Sequence, residues 1–192
     1  ATQPLLWGRN KGCSFISSKC VDGGTAIDGF CTDAGTTGCT PGHRAKAHCD
    51  LTTFSSSLPA QYQYFTSATQ GGGMIEADYC PHMNAYSNGN CHVAANAPST
   101  NYRAEIYAEG SMCFETSLSQ PIGGYTISSA SGQGCYSTRC ADGVYEIMLS
   151  NSTGGSIWLA CPSGGGNVSP PDGSGISGSI TCPTTSALLC NP

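Results

Sequence analysis

The chain has 192 residues, enough for one domain with a substantial core or two small ones. Only about 10% of them are charged, which excludes a solvated disordered tail. The balance of 7 basic and 12 acidic residues, with no Lys/Arg cluster, argues against nucleic-acid binding. No apolar run approaches the roughly 20 residues that a membrane-spanning helix needs, so we predict no membrane span in this chain.

Long helical periodicity is absent, because Gly, Pro, Ser, Thr or Asn interrupts nearly every window of twelve residues. A short helix is predicted within CSFISSKC (13–20), where Phe15, Ile16 and Lys19 have helical spacing. The sequence SNGN at 87–90 predicts a tight turn, since Asn-Gly supplies the positive φ that such turns need.

Alternating apolar residues predict several short strands. TNYRAEIYAE (100–109) and GVYEIMLS (143–150) alternate most clearly, with Tyr102, Ala104 and Ile106 on one face of the first and Tyr145, Ile147 and Leu149 on one face of the second. Further strands are predicted in GYTISSA (124–130), GSIWLAC (155–161) and GSITC (178–182). Residues 163–179, rich in Gly, Ser and Pro, predict an exposed loop rather than an interdomain linker.

The number of cysteines indicates the cellular compartment in which the chain folds. There are thirteen, spread over the whole chain, and such density is typical of an oxidising environment in which disulfides support a loop-rich fold. Two N-glycosylation sequons, at Asn151 and Asn167, also indicate a secreted protein. Pro170, directly after the serine of the second sequon, makes Asn167 the weaker candidate for glycosylation. We predict an extracellular or cell-surface protein of β-rich α+β class: an irregular, disulfide-stapled domain of short antiparallel strands with few short helices.

The stretch CTPGHRAKAHC offers four candidate metal ligands, Cys39, His43, His48 and Cys49. Their spacing fits no standard structural-zinc pattern, and the adjacent His48 and Cys49 would need an awkward turn to face one ion. We interpret the stretch as two disulfide-bonded cysteines flanking a polar loop and assign no metal site.

No complete catalytic constellation is visible. The chain has no HExxH motif and no Gly-x-Ser-x-Gly elbow, and His82 and His92 stand alone. Glu76 and Asp78 are interpreted as a solvated strand face rather than an acid/base pair. The aromatic residues of QYQYFT, namely Tyr62, Tyr64 and Phe65, are predicted to fill the core.

The opening motif resembles the start of the carboxy-terminal domain of leishmanolysin-like zinc metalloproteases, surface peptidases of trypanosomatids and other protists. It comprises Trp7-Gly8-Arg9-Asn10, then Gly12-Cys13, then Cys20. LPAQYQYFT followed by DYCP is similar to a second family block, and the later cysteines continue the match: Cys135-x4-Cys140, Cys161-Pro162, Cys182 in ITCP, and Cys190.

The resemblance implies a single cysteine-rich domain over residues 1–192, with the zinc-binding catalytic domain outside this chain. No catalytic or metal-binding role is therefore assigned to any residue here, no cofactor is expected in this chain, and zinc is expected in the catalytic domain. The resemblance also implies six disulfides: Cys20–Cys80, Cys31–Cys49, Cys39–Cys113, Cys91–Cys135, Cys140–Cys190 and Cys161–Cys182. Cys13 is left over, and its implied partner is the catalytic domain.

Two functions follow from this interpretation. The first is a non-catalytic domain that supports or positions a metalloendopeptidase domain. The alternative is an extracellular structural or adhesive module without peptidase activity, whose partners would be other surface proteins. Retention of Cys13 favours the first, because a stand-alone domain would expose an unpaired thiol to oxidation.

Overall fold

The computed structural model describes residues 12–27, 29–127, 132–184 and 190, without the side chains of Ser14 and Ile16. The Trp7–Asn10 motif lies outside the described residues. The described residues form thirteen strands: β1 (Val21–Asp22), β2 (Thr25–Ala26), β3 (Thr37–Cys39), β4 (Ala45–Cys49), β5 (Leu51–Thr53), β6 (Gln70–Gly72), β7 (Met83–Asn90), β8 (Met112–Thr116), β9 (Gly132–Ala141), β10 (Val144–Ser150), β11 (Ser156–Ala160), β12 (Gly166–Val168) and β13 (Ile180–Cys182).

Helices are few and short. The helix predicted within 13–20 is confirmed as α1, Cys13–Ser17, which ends before Lys19. Three single turns of 3-10 helix lie at Ala60–Tyr62, Ile75–Ala77 and Ala94–Asn96. The predicted β-rich, disulfide-stapled fold class is confirmed. None of the helices in the described ranges is long and apolar enough to cross a membrane.

The largest sheet has six antiparallel strands in the order β11-β10-β9-β8-β13-β12. Along β10 the side chains of Tyr145, Ile147 and Leu149 are buried, and those between them are more exposed. The strands predicted in 143–150, 155–161 and 178–182 are thus confirmed as β10, β11 and β13.

One face of the six-stranded sheet carries the main core. Its largest fully buried side chains are those of Phe114, Leu118, Tyr136, Ile147, Leu149 and Ile180. Tyr136 lies beside Gly134 on β9, and a Cβ on that glycine would collide with the tyrosine ring. The glycine therefore makes room for the largest of the buried side chains.

A smaller sheet, β3-β4-β7, packs against β8 and β9. The register of β4 against β7 shifts between Ala45 and Ala47, whose partners are Asn90 and Ala85. The chain between Ala85 and Asn90 forms a bulge in β7. The predicted turn at 87–90 is wrong, because SNGN lies within β7. Gly89 lies in the bulge and does not have a positive φ. Glycine is required there for space, because a Cβ would collide with the carbonyl oxygen of Lys46.

The predicted strand at 100–109 is also wrong. Ala104 has a φ of 57°, which breaks the extended backbone. The Asn101 side chain brackets the segment, accepting a hydrogen bond from the Glu105 N–H at 2.7 Å and donating to the Glu105 carbonyl at 2.8 Å. These local bonds replace a regular ladder and turn the Glu105 side chain into the protein.

Two further predictions are modified. Residues 124–127 lie outside the named strands apart from a single bridge between Ile122 and Tyr125, and 128–130 fall outside the described residues. The predicted loop at 163–179 contains the short strand β12, and Ser177 forms a bridge with Ser119. The loop is therefore joined to the six-stranded sheet through β12 and to the segment after β8 through Ser177.

Candidate functional site

Cys13 carries a free thiol, and the other twelve cysteines form disulfides. It is exposed at the first position of α1. The helical turn is closed by the Ser17 hydroxyl, which donates to the Cys13 carbonyl at 3.0 Å, and by the Phe15 N–H, which donates to the Gly12 carbonyl at 3.3 Å. The thiol is therefore accessible on an ordered turn.

The six disulfides join the cysteines in the pairs that the family resemblance implies. They are Cys20–Cys80, Cys31–Cys49, Cys39–Cys113, Cys91–Cys135, Cys140–Cys190 and Cys161–Cys182. Cys113 and Cys135 lie opposite each other in the β8–β9 ladder, yet each bonds to a cysteine from the side of the smaller sheet. Two disulfides, buried except for the half-buried Cys39, therefore hold the sheets together.

The Cys20–Cys80 disulfide anchors the chain next to Cys13. Cys20 is buried and follows Cys13 by seven residues, so the helical turn and the extended residues after it hold the two Cα atoms within about 17 Å. The free thiol is consequently confined to the neighbourhood of Cys80 and of the loop that precedes it.

That loop, residues 73–79, presents an apolar pair to solvent. Met74 is 44% and Ile75 is 64% exposed. The loop is ordered by hydrogen bonds from the Gly72 N–H to the Tyr79 carbonyl (2.7 Å) and from the Cys80 N–H to the Ala77 carbonyl (2.9 Å). The loop therefore holds two adjacent apolar side chains at the surface in a defined position.

Glu76 and Asp78 lie in the same loop and not on a strand, so their predicted setting is wrong. Glu76 is in the 3-10 turn and Asp78 caps it with a φ of 53°. Both side chains are exposed, which agrees with a solvated role and provides no buried acid/base pair. A 3-10 turn forms here instead of a strand, and it is closed by the Asp78 N–H, which donates to the Ile75 carbonyl at 3.0 Å.

The aromatic residues of QYQYFT are half-buried rather than core residues, so that prediction is wrong. Tyr62 packs on Tyr79, with ring centroids 5.5 Å apart, and Tyr79 also meets Phe54 edge-on at 5.5 Å. Tyr64 and Phe65 are likewise half-buried. Tyr79 also lies close to Gly71 of β6, so the cluster is beside the β5–β6 pair.

In the Cys39–Cys49 stretch both cysteines are in disulfides with different partners, so neither offers a free thiolate as a metal ligand. The Nδ1 atom of His43 is 2.8 Å from the carbonyl oxygen of Cys113, and His48 stacks on Tyr86 with a centroid distance of 4.9 Å. No group of three or more His, Cys, Asp or Glu residues that could hold a metal ion is found in the described part of the chain.

The remaining histidines have structural neighbours. The Asp50 carboxylate accepts hydrogen bonds from the backbone N–H groups of His82 (2.7 Å) and Gly73 (3.2 Å), and its Oδ2 is 3.2 Å from His82 Nδ1. His92 Nδ1 accepts from the Gly110 N–H at 3.3 Å. Burial and then Arg44 lower the pKa of His92, with Glu109 opposing them, which favours the neutral imidazole that such acceptance requires.

An ion pair that sequence reasoning missed lies between the sheets. Lys46 Nζ is 3.1 Å from Glu105 Oε1, which also accepts from the Cys135 N–H at 3.0 Å and the Tyr107 hydroxyl at 3.4 Å. Burial lowers the pKa of Lys46, but Glu105 and Tyr107 together raise it above its ordinary value. The two charged residues are 59 positions apart, so no local pattern could reveal the pair.

Beside this ion pair is an open cleft of about 350 Å³. It is lined by Lys46, Tyr86, Asn88, Arg103, Gly132 and Gln133. Arg103 is engaged there by the carbonyl oxygens of Thr116 (3.4 Å) and Leu118 (3.5 Å). The cleft thus combines structural cations with amide side chains and the Tyr86 ring.

These features define a class of protein: a disulfide-braced antiparallel β domain with one exposed thiol. The chain matches the family model of the leishmanolysin peptidases over residues 1–191 and belongs to that family. It is 30% identical to a leishmanolysin homolog of Crithidia fasciculata, across 94% of this chain and 28% of that protein. It is 28% identical to leishmanolysin of Leishmania donovani, across 84% of this chain and 28% of that protein.

A leishmanolysin-like peptidase of Drosophila pseudoobscura pseudoobscura is 29% identical, across 78% of this chain and 27% of that protein. The chain therefore spans little more than a quarter of the length of the curated relatives it matches.

Proposed function

We propose that this chain is the non-catalytic carboxy-terminal domain of a leishmanolysin-like zinc metalloendopeptidase. It supports or positions the peptidase domain at the cell surface or outside the cell, and zinc belongs to that peptidase domain. The observation that carries the proposal is the state of Cys13, a single exposed thiol in a domain whose other twelve cysteines are all paired. The absence of an HExxH motif from a chain of this family supports the same assignment.

In this proposal Cys13 forms a disulfide with a cysteine of the peptidase domain. The two thiols give up two electrons and two protons to a disulfide oxidant of the secretory compartment, and one S–S bond forms. Met74 and Ile75 lie on the loop next to Cys80, to which the Cys13 segment is anchored, and they pack against the same domain. One covalent bond and one apolar contact then hold the two domains in a fixed orientation.

The proposal is tested by mapping disulfides in the native, unreduced protein after alkylation of free thiols. Trypsin cleavage after Lys11 and Lys19 isolates Cys13 on the peptide GCSFISSK, separate from every other cysteine. We expect this peptide to be joined to one from a polypeptide region that carries HExxH. The pairs within the domain serve as the internal control for shuffling during digestion.

Three outcomes of the mapping would contradict the proposed tether through Cys13. If the peptide is alkylated, capped by a small thiol, or joined to a second copy of itself, the domain is not tethered through Cys13. An extracellular structural or adhesive module without peptidase activity is then the better assignment.

A further inference from the structure

We propose that Asn151 carries an N-linked glycan, and that this glycan covers the open edge of the six-stranded sheet at β11. The inference is independent of the peptidase assignment, because it concerns only the β10–β11 hairpin and the compartment in which the chain folds. The sequence of the hairpin turn, Asn151-Ser152-Thr153, has the required Asn-x-Ser/Thr pattern.

The turn holds the Asn151 side chain by its oxygen. Oδ1 accepts hydrogen bonds from the Thr153 N–H (3.2 Å), the Thr153 hydroxyl (2.9 Å) and the Gly155 N–H (2.6 Å). The backbone closes the same turn, with the Asn151 N–H donating to the Gly155 carbonyl at 3.0 Å. Within the described residues Nδ2 has no hydrogen-bond partner, so the nitrogen that would bear a sugar is not needed by the fold.

Space is available around this nitrogen. Residues 152–156 are all exposed, and Asn151 itself is half-buried. Transfer to Nδ2 forms a bond between this nitrogen and C1 of the first sugar, breaks the bond from C1 to the diphosphate of a lipid-linked oligosaccharide, and releases the amide proton. The transfer precedes or accompanies folding, and the folded turn then accommodates the product without losing any of the three hydrogen bonds to Oδ1.

The position of the glycan suggests its role. β11 is the outermost strand of the sheet and pairs only with β10, so its outer backbone groups face away from any described strand. Such an edge is a template for pairing with another chain, and proteins commonly cover or charge it. Asn151 directly follows the end of β10 at Ser150, in the turn that leads into β11 at Ser156, so a glycan rooted there projects from the end of the hairpin beside this edge.

Asn167 provides the matched comparison at the opposite edge. It is exposed on β12, the other outermost strand, and its Oδ1 accepts from the Thr181 hydroxyl at 2.9 Å. Its sequon is followed by Pro170. An Asn167→Asp variant keeps this acceptor oxygen and isolates Asn151 as the remaining acceptor.

The test is glycopeptide mapping of the full chain secreted from eukaryotic cells, combined with intact masses before and after enzymatic removal of N-glycans. We expect the Asn151 peptide to carry the glycan. Asn151→Asp retains the three-bond acceptor and loses one glycan mass, whereas Thr153→Ser retains the sequon and the glycan. An unmodified Asn151 in the secreted wild-type chain overturns the proposal, whether or not the variants are secreted.

The edge role has its own readout. In the Asn167→Asp background, sedimentation velocity compares the glycosylated chain with the enzymatically deglycosylated one, in which Asn151 becomes Asp. We expect non-covalent association after deglycosylation, and Ala160→Lys, which adds a charge to the edge strand opposite Glu146, is expected to suppress it. Non-reducing gels distinguish this association from a disulfide through Cys13, and identical sedimentation of both forms overturns the edge role.

Discussion

Lys46 on β4 and Glu105 in the irregular segment before β8 form an ion pair, 3.1 Å apart, at the junction of the two main sheets. The Glu105 side chain is 5% exposed and that of Lys46 is 23% exposed. Glu105 also accepts from the Cys135 N–H of β9, so one carboxylate connects three parts of the chain. A buried charge of this kind is tolerated because it is paired and hydrogen-bonded.

We expect Glu105→Gln to destabilise the domain by about 2 kcal/mol, because Lys46 loses its charged partner while the amide oxygen still accepts from Cys135. Urea unfolding of the oxidised protein measures the change. The matched control is Glu146→Gln, which removes the ion pair with Arg139 at 2.6 Å on the outer face of the sheet. Arg139 is half exposed, and the control is expected to cost less than about 1 kcal/mol. Equal losses in the two variants would contradict the special role of Glu105.

Tyr145 is expected to make the fold sensitive to alkali. Burial raises the pKa of its hydroxyl to about 12, with a hydrogen bond to Thr138 opposing the shift. The Tyr145 hydroxyl ionises near pH 10 in the unfolded chain but only near pH 12 in the folded chain. Its contribution to the free energy of unfolding is therefore fully present below pH 10 and is lost as the pH rises toward 12. Tyr145→Phe should remove about 3 kcal/mol of this pH-dependent loss.

The measurement is urea unfolding between pH 8 and pH 12, made in a Cys13→Ser background to prevent thiol–disulfide exchange. Tyr125→Phe is the control, because Tyr125 is 74% exposed and its substitution should leave the pH profile unchanged. A wild-type profile that stays flat up to pH 12 would rule out the contribution of Tyr145.

The disulfides are expected to contribute according to the length of chain they close. In the chain-entropy model, Cys39→Ala with Cys113→Ala, which opens a separation of 74 residues, should cost about 4.5 kcal/mol. Cys31→Ala with Cys49→Ala, at a separation of 18, should cost about 3 kcal/mol. Guanidinium unfolding without reductant gives both values, and a larger loss for the shorter loop would show that packing rather than chain entropy dominates.

Gly89 is expected to be required for the bulge in β7. Gly89→Ala should destabilise the domain by about 1–3 kcal/mol, because the new methyl group meets the carbonyl oxygens of Lys46 and, at 3.1 Å, Tyr86. Gly164→Ala is the control, since a Cβ there has nothing within 4 Å. Thermal unfolding of both variants measures the difference, and a stable Gly89→Ala variant would mean that the bulge rearranges freely.

The sequence by itself determined the class of fold and those strands whose burial alternates. In β10 every second residue is apolar, and burying Tyr145, Ile147 and Leu149 together requires an extended chain. The number of cysteines likewise required one to remain unpaired within the chain, although spacing alone could not pair the others. The pairs came from family resemblance.

Only the tertiary structure showed where the chain departs from the secondary structure that its local sequence pattern predicts. Residues 100–109 alternate like a strand, but Asn101 and the positive φ of Ala104 fold them into an irregular segment that delivers Glu105 to Lys46. Asn-Gly at 88–89 resembles a turn, but pairing with β4 and the close approach of the Lys46 backbone draw it into β7. In both places long-range contacts outweigh the local preference: the buried Glu105 carboxylate needs Lys46 as its partner, and pairing with β4 satisfies backbone groups of β7.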